Sequence, residues 1–197
     1  MSPTILGLDP GTRSTGWAVL KASVLREYGT LIPKNTLRGV DRHLWLLSQI
    51  QDLLATYQPG VLAYEEFVWI SHDNTHDRYI SGRPDMERLI GGIQLLSLYT
   101  PYPVLMGLLP AKWGQQLLGQ RTHTKAQIAY AVNCRLKTTF KGDIYDNHAC
   151  DAVGIALVAA DTVFMERHVA AQAYESAMAR SALLIALVRA GTAGDKQ

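Results

Sequence analysis

Three short stretches of this chain carry side chains that could bind a divalent metal ion. The first is Asp9-Pro10-Gly11-Thr12, in which a carboxylate ends an apolar run and precedes a tight turn. A carboxylate at the end of a strand is fixed by the sheet while it faces solvent, which suits a metal ligand. Asp, Pro and Gly are also common turn formers, so an ordinary turn is an equal interpretation.

The second stretch is the pair Glu65-Glu66, which follows the apolar run 61–64. Neighbouring residues of a strand point to opposite faces of a sheet, so only one of the two glutamates can share a face with Asp9. A solvated strand end is the simpler interpretation of this pair on its own.

The third stretch, residues 146–151, opens a predicted helix. His148 and Asp151 are three residues apart, so both side chains project from one face of its first turns. An imidazole and a carboxylate both bind divalent metals. A helix cap or a favourable interaction with the helix dipole explains Asp151 well but gives no reason for the histidine.

The hydrophobic pattern predicts the elements that position these side chains. Strands are expected at 4–9, 16–20 and 24–32 as an antiparallel meander, and again at 61–64 and 103–108. Helices are expected at 40–57, at 86–99, from 110, at 124–136 and from 147 to 189, with a polar loop at 71–84. This order predicts an α/β fold in which helices cover both faces of a mixed sheet and the acidic residues fall at strand ends.

Composition favours a globular protein of one domain, with room for an appendage. The 197 residues are 48% hydrophobic and 18% charged, which argues against disorder, and the net charge of +2 does not by itself indicate a polyanionic partner. The two cysteines, Cys134 and Cys150, are predicted to be small core residues in a reducing compartment. Because a basic leader and a long apolar run are not seen, we expect a cytoplasmic protein with no membrane partner.

Taken together, the three stretches resemble the RuvC family of Holliday junction resolvases. Residues 5–17, ILGLDPGTRSTGW, are similar to the family's opening pattern Ile-Leu-Gly-Ile-Asp-Pro-Gly-x-x-x-x-Gly. Residues 63–67, AYEEF, resemble its second acidic strand, and residues 148–152, HACDA, resemble its final Asp/His-x-x-Asp-Ala helix. The resemblance covers residues 4–160, and the three motifs in this order are specific where each one alone is not.

This resemblance implies an RNase-H-like fold, with a mixed five-stranded sheet flanked by helices in residues 1–167 and a C-terminal helical extension and tail in residues 168–197. It implies a catalytic, metal-binding set made of Asp9, Glu65, His148 and Asp151. Glu65 is preferred to Glu66 because it aligns with the family glutamate. Asp146 is the reserve ligand.

The activity that the resemblance implies is cleavage of a four-way DNA junction by paired symmetric nicks. Two divalent ions about 3.5–4 Å apart can activate a water and neutralise the leaving oxygen in phosphodiester hydrolysis. Mg²⁺ is expected because oxygen ligands and phosphate favour it, and an imidazole ligand makes Mn²⁺ a substitute. Two equivalent strands must be cut, which suits the homodimer that the resemblance implies.

The segment 89–142 contains no Asp or Glu but has six basic residues, Lys112, Arg121, Lys125, Arg135, Lys137 and Lys141. A surface that faces phosphates has this bias, although basic residues scattered around helices give the same sequence. In the resemblance, Lys125 aligns with a basic position near the active site. We rank it first as a DNA contact, followed by Arg121 and Lys112.

Two aromatic residues, Phe67 and Trp69, follow the second acidic strand. The family places an aromatic ring near here beside the junction centre, where it stacks on an unpaired base. Val68 aligns with that ring, so core packing of both aromatic side chains is the preferred interpretation. His72 and His76 lie in the polar loop without further ligands and are interpreted as solvated.

Two other functions fit part of the sequence. An actin-like ATPase or sugar kinase also begins its phosphate loop with Asp-x-Gly-Thr, but 197 residues leave no room for two lobes and a second Gly-rich loop, so we expect no ATP. A non-catalytic branched-DNA-binding module is disfavoured because the full acidic set is present.

Beyond residue 160 the chain departs from the family, and apolar residues there could dock on the domain or extend a dimer contact: Tyr174, Met178, Leu183, Leu184 and Leu187.

Overall fold

The computed structural model describes residues 3–67, 83–99, 103–137 and 144–194. Within these residues one sheet has the strands β1 (Thr4–Asp9), β2 (Thr15–Lys21), β3 (Val24–Leu31), β4 (Val61–Glu65) and β5 (Val104–Leu108). The helices are α1 (Gly39–Tyr57), α2 (Arg83–Tyr99), α3 (Pro110–Leu118), α4 (Lys125–Leu136) and α5 (Ile144–Gly194).

The strand order places the acidic strand ends at one edge of the sheet. The order is β3-β2-β1-β4-β5, in which β2 is antiparallel to β1 and β3, whereas β4 is parallel to β1 and to β5. The C-terminal ends of β1, β3 and β4 and the start of β2 therefore lie together, at what we call the carboxyl edge. This mixed five-stranded sheet with flanking helices confirms the predicted fold class.

Alternating side chains give the sheet two packed faces. On one face, α1 and α2 join the strands in a continuous apolar core that contains Leu6, Leu8, Leu46, Ile50, Leu54, Leu62, Tyr64, Leu89, Ile90 and Ile93. The intervening strand residue Gly7 points to the other face, where it contacts α5. Asp9 lies two residues after Gly7 and therefore shares the α5 face.

Helix α5 can lie against the backbone of β1 and β2 because two glycines leave room for it. A β-carbon at Gly7 would overlap the carbonyl oxygen of Ala152 and would lie 2.7 Å from the β-carbon of Ala156. A β-carbon at Gly16 would overlap the carbonyl oxygen of His148. Larger residues at either position would therefore push the first turns of α5 away from the sheet.

Residues 149–159 of α5 are all buried, which explains why all of them except Asp151 are apolar or small. By length and composition alone, the stretch Asn147–Glu175 is apolar enough to cross a membrane, but 61% of its apolar window is buried within the structure. Packing against the sheet accounts for the apolar character of this part of the helix.

The chain divides into two compact units, Met1–Ala160 and Asp161–Gln197. In the second unit, the side chains of Tyr174 and Met178 are exposed, as are those of Phe164, Met165 and Val169. The side chains of residues 183, 184 and 187 lie outside those that the structure describes. The boundary at residue 167 stays a prediction.

Several local predictions differ from the structure. Helix α2 begins at Arg83, inside the segment expected to be a loop, because Pro84 is compatible with the first turn of a helix. Helix α5 begins at Ile144 rather than at residue 147. Cys134 and Cys150 do not form a disulfide, and Cys150 is buried as predicted. The core assignment of Cys134 is wrong: it is exposed, since Ile128 and Val132 form the buried face of α4.

We predict that Gly7→Ala lowers the free energy of unfolding by about 1–3 kcal/mol, the usual cost of forcing extra atoms into a packed core. Urea unfolding followed by circular dichroism measures the change. Gly91→Ala is the matched control, because nothing lies within 4 Å of a β-carbon built there. In a helix this control change should stabilise the protein by about 0.5–1 kcal/mol. Wild-type stability in Gly7→Ala would show that α5 can retreat from β1 without cost.

Candidate active site

Asp9 and Glu65 lie side by side at the carboxyl edge. Residues 5–8 of β1 pair in parallel register with residues 61–64 of β4, and continuing this register places Asp9 opposite Glu65. The residues before them, Leu8 and Tyr64, belong to the core under α1 and α2, so both carboxylates point to the α5 face. Asp9 is only 7% exposed, and Glu65 is half-buried.

Helix α5 adds an imidazole to these carboxylates. His148 Nδ1 lies 2.6 Å from Oδ2 of Asp9. The loop between β1 and β2 packs beside this ring, since a β-carbon at Gly11 would lie 3.8 Å from its Cε1 atom. The Thr15 hydroxyl donates a hydrogen bond of 3.1 Å to the Gly11 carbonyl and so fixes the loop. Asp9 thereby orients an imidazole whose side chain stays 37% exposed.

Asp151 lies one turn further along α5, is 2% exposed and is paired with the ammonium group of Lys125. Lys125 is the first residue of α4, and its position depends on a capping box. The Thr124 hydroxyl accepts a hydrogen bond of 3.3 Å from the Gln127 amide, and the Thr124 amide donates one of 2.8 Å to the Gln127 side chain. The capped helix end therefore holds Lys125 against the buried carboxylate and offsets the cost of burying its charge.

A tryptophan of α3 holds the Glu65 side chain. Trp113 Nε1 donates a hydrogen bond of 2.7 Å to Glu65 Oε2, and Trp113 is itself 2% exposed. The centroid of the His123 ring lies 5.9 Å from that of the indole. A β-carbon at Gly154 of α5 would lie 3.1 Å from the indole, so the helix backs the ring closely. Glu65 is thus bonded to a side chain that has little freedom to move.

The pKa of Glu65 is shifted by its burial and by the charges of its neighbours. Burial raises this pKa, and the negative charge of Asp9 raises it further. The hydrogen bond from Trp113 and the positive charges of Lys125 and His148 act in the opposite direction. Asp9, Lys125 and His148 therefore lie within electrostatic reach of Glu65, and the acidic residues of all three motifs form one cluster.

Glu66 lies outside this cluster. A β-carbon at Gly107 would lie 2.9 Å from Oε1 of Glu66 and 3.1 Å from the hydroxyl oxygen of Tyr64, so this glutamate shares the face of Tyr64 rather than that of Glu65. Asp146 belongs to the first turn of α5, and its side chain lies outside those described. Trp69, His72 and His76 also fall outside the described residues.

The predicted DNA contacts occupy different surroundings. Phe67, two residues beyond Glu65, is 38% exposed, so the interpretation of its ring as a core side chain is wrong: β4 ends at Glu65, and the chain leaves the sheet there. Lys112 on α3 and Arg121 in the turn before α4 are exposed.

The basic residues of segment 89–142 do not share one surface. Lys125 is paired with Asp151 at the active site. Arg135 and Lys137 instead line a pocket with residues 23–28, and this segment starts at the end of the sheet opposite the carboxyl edge.

Three carboxylates and one imidazole form a donor set that suits Mg²⁺ or Mn²⁺. As they are placed, no three acidic, histidine or cysteine side chains among the described residues stand close enough together to hold an ion. Asp9 is paired instead with His148, and Asp151 with Lys125. The residues fit a divalent metal in kind, and two side chains of the protein itself, His148 and Lys125, pair with two of the carboxylates that would hold it.

A mixed sheet in this strand order, with carboxylates from β1, β4 and α5 gathered at its carboxyl edge, defines a nuclease of the RNase-H-like class. The family model for crossover junction endodeoxyribonuclease RuvC matches residues 5–159. The chain belongs to the RuvC family, which confirms the predicted enzyme class and replaces the nucleotide-binding alternative.

Individual relatives agree with this assignment. The chain is 27% identical over 175 residues to the crossover junction endodeoxyribonuclease RuvC of Caulobacter vibrioides, covering 84% of this chain and 94% of that protein. It is 28% identical over 156 residues to the RuvC of a Roseiflexus species, covering 77% and 87%.

Two solved structures share the fold. Thermus thermophilus RuvC in complex with a Holliday junction substrate has a TM-score of 0.68 and 20% sequence identity, covering 83% of this chain and 96% of that one. The yeast mitochondrial Holliday junction resolvase has a TM-score of 0.54 and 16% identity, covering 79% and 77%. The RNase-H-like sheet is therefore common to all three chains.

Two residues of the site, Trp113 and His123, were not predicted, and Lys125, predicted as a DNA contact, pairs with Asp151. Trp113 stands in α3, 48 residues after the glutamate that it binds, and an isolated tryptophan in an amphipathic helix is an ordinary core residue. The Thr124 and Gln127 spacing of a capping box was available as a signal for the start of α4. It predicts where Lys125 sits on the helix but not which carboxylate it meets.

We predict that Trp113→Phe raises the pKa of Glu65 further, because the hydrogen bond that it removes stabilises the ionised carboxylate. The substitution should also lower the free energy of unfolding at neutral pH by about 1.5–3 kcal/mol, the usual value of a hydrogen bond to a charged group. Carboxyl NMR titration in EDTA and urea unfolding measure the two effects. Trp45→Phe, in the core under α1 and α2, is the control and should leave the Glu65 titration unchanged. An unshifted Glu65 titration in Trp113→Phe would contradict the role given to the indole.

Proposed function

We propose that this chain resolves four-way DNA junctions by paired, symmetric incisions. Membership of the RuvC family supports junction cleavage. The observation that carries the assignment of the site is the contact of 2.6 Å between Asp9 on β1 and His148 on α5, beside Glu65 and Asp151. Packing alone gives no reason to gather three carboxylates and an imidazole at one edge of a sheet, since each carries a desolvation cost.

RuvC nucleases are metal-dependent, and we propose that Asp9, Glu65, His148 and Asp151 hold two Mg²⁺ ions, for which Mn²⁺ can substitute. Asp9 neighbours both Glu65 and His148, which makes it the candidate for a shared ligand. Glu65 and Asp151 would each hold one side of the site, with Trp113 and Lys125 keeping their carboxylates in place. When bound, such cations supply Lewis-acid activation of water and neutralise charge on the leaving oxygen.

His148 also has the geometry to move a proton. With Nδ1 donating to Asp9, its Nε2 atom carries the one remaining lone pair of the ring, which can either bind a cation or accept a proton from the attacking water, but not both at once. The side chain is 37% exposed, so water can reach it. A positioned general base of this kind contributes about 10²–10⁴-fold to the rate. The Asp9 carboxylate would then serve the reaction twice, as a ligand and as the group that fixes the imidazole.

For DNA binding, we propose that the exposed side chains of Lys112 and Arg121 contact phosphates and that Phe67 stacks on an unpaired base at the crossover. The exposure of the Phe67 ring, two residues from Glu65, supports a stacking role. Lys125 can serve both DNA binding and the active site, because its ammonium group pairs with Asp151 while its side chain stays 61% exposed. Trp69 stays a predicted stacking residue.

A junction presents two equivalent strands, so we propose a homodimer whose two-fold axis relates two active sites. Sedimentation of the purified protein tests this assembly, and a monomer that still makes coupled incisions would exclude it. We also propose that the enzyme acts in the cytoplasm and without ATP.

The direct test of the function is incubation of the full chain with a four-way junction labelled on each strand, in Mg²⁺. Two incisions at symmetric positions, with ends that DNA ligase can seal, are the expected products. Linear duplexes and flaps of the same sequence are the comparison substrates. Cleavage of flaps or duplexes without cleavage of the junction would exclude resolution.

We predict that Asp9→Asn abolishes cleavage while junction binding persists. A shared metal ligand supports several kcal/mol of transition-state stabilisation, which corresponds to a loss of about a thousandfold or more in rate. Single-turnover cleavage and gel mobility shift measure the two properties. Asp52→Asn makes the same chemical change at an exposed site on α1 and should cleave at the wild-type rate. Retained cleavage in Asp9→Asn would remove Asp9 from the mechanism.

A further inference from the structure

A second polar site lies beside the catalytic cluster. A cavity of about 350 Å³ is lined by Arg13, Pro33, Asn35, Arg38 and Arg42. Its lining contains three guanidinium groups and no carboxylate. Cations that are brought together without an anion repel one another, so this lining favours a negatively charged occupant.

The lining segments place this arginine pocket at the carboxyl edge. Arg13 belongs to the β1–β2 loop, which also packs beside His148 at Gly11. Residues 33–38 follow β3, whose last residue, Leu31, pairs with Thr15 at the start of β2. Adjacent strands are about 4.8 Å apart, so β3 lies about 10 Å from β1 and Asp9. This separation is short enough for one DNA strand to reach both the pocket and Asp9.

The backbone around the pocket is held by short-range contacts. Arg42 is half-buried and donates a hydrogen bond of 2.9 Å to the Leu37 carbonyl. The Leu37 amide in turn donates one of 3.0 Å to the Lys34 carbonyl, and Pro33 is buried. These contacts fix one side of the pocket before any ligand arrives, which lowers the entropy cost of binding.

Arg13 and Arg38 form the accessible part of the pocket, since both are exposed. Arg38 is the N-cap residue of α1, and its side chain makes no capping hydrogen bond. The positive end of the helix dipole adds to the attraction for an anion there. Asp41, the acidic residue of the first turn, is not among the lining residues.

We propose that the arginine pocket binds a backbone phosphodiester of the DNA strand that leads away from the incision site. The guanidinium fork matches phosphate oxygens in geometry and charge. A phosphate held close to the scissile bond would fix the register of the strand in the active site without reading its sequence. This inference rests on the proposed function, because it takes the substrate to be DNA.

The test compares Arg13→Gln, Arg38→Gln and the double variant by fluorescence anisotropy in EDTA, with a labelled junction and a linear duplex over a series of salt concentrations. The double variant should bind both DNAs more weakly, on the order of tenfold. The slope of log affinity against log salt should fall by about 0.9 for each phosphate that the variant no longer neutralises. Arg42 is left intact because its hydrogen bond to Leu37 supports the fold.

Two further variants separate the pocket from general charge and folding effects. Arg26→Gln removes the same charge from an exposed position on β3 outside the pocket and should bind like the wild type. Arg38→Lys keeps the charge but loses the fork, so it should keep the salt slope and still lose affinity. Wild-type affinity and slope in the double variant, or an equal loss in Arg26→Gln, would overturn the proposal.

Measuring junction cleavage by the wild type in Mg²⁺ separates a failure of the pocket proposal from a failure of the proposed function. If the wild type binds DNA through the pocket but makes no incisions, the resolvase assignment fails and the pocket stands. If the wild type resolves junctions and the double variant binds normally, the pocket fails and the resolvase assignment stands. A wild type that binds neither DNA overturns both.

Discussion

The active site depends on the close approach of α5 to β1 and β2. Gly7 and Gly16 have no side chains, so the carbonyl groups of Ala152 and His148 can lie where β-carbons would otherwise be. This approach brings His148 within 2.6 Å of Asp9 and puts Asp151 beside Lys125. His148 and Asp151 are two of the four proposed catalytic side chains. They reach the carboxyl edge because α5 packs closely on the sheet, and not because a loop carries them there.

The charges at this edge are balanced unequally. Asp9 and Asp151 each pair with a basic side chain, His148 and Lys125, whereas Glu65 accepts a hydrogen bond from the neutral indole of Trp113. Burial and the neighbouring Asp9 raise the pKa of Glu65. Glu65 therefore differs from the other two carboxylates in having a neutral partner, and its hydrogen bond to Trp113 links it to α3.

The elements of the fold were largely predictable because their periodicity is local. Alternation in β4 also places Glu65, and not Glu66, on the face of Asp9, because Leu62 and Tyr64 occupy the core under α1 and α2. The contact between Trp113 and Glu65 was not predictable, since it depends on how α3 packs against β4 and α5. The same reason applies to Lys125, whose sequence context shows a helix start and a positive charge but not the buried Asp151 that it meets.

The ion pairs at the carboxyl edge have a consequence for biosynthesis. A nascent chain that relied on divalent cations to hold its acidic residues together would stay incompletely folded until it captured them. Here an imidazole and an ammonium group already pair with the two most buried carboxylates. The protein's own side chains therefore hold these acidic residues at the carboxyl edge, so folding of the domain does not have to wait for a divalent cation.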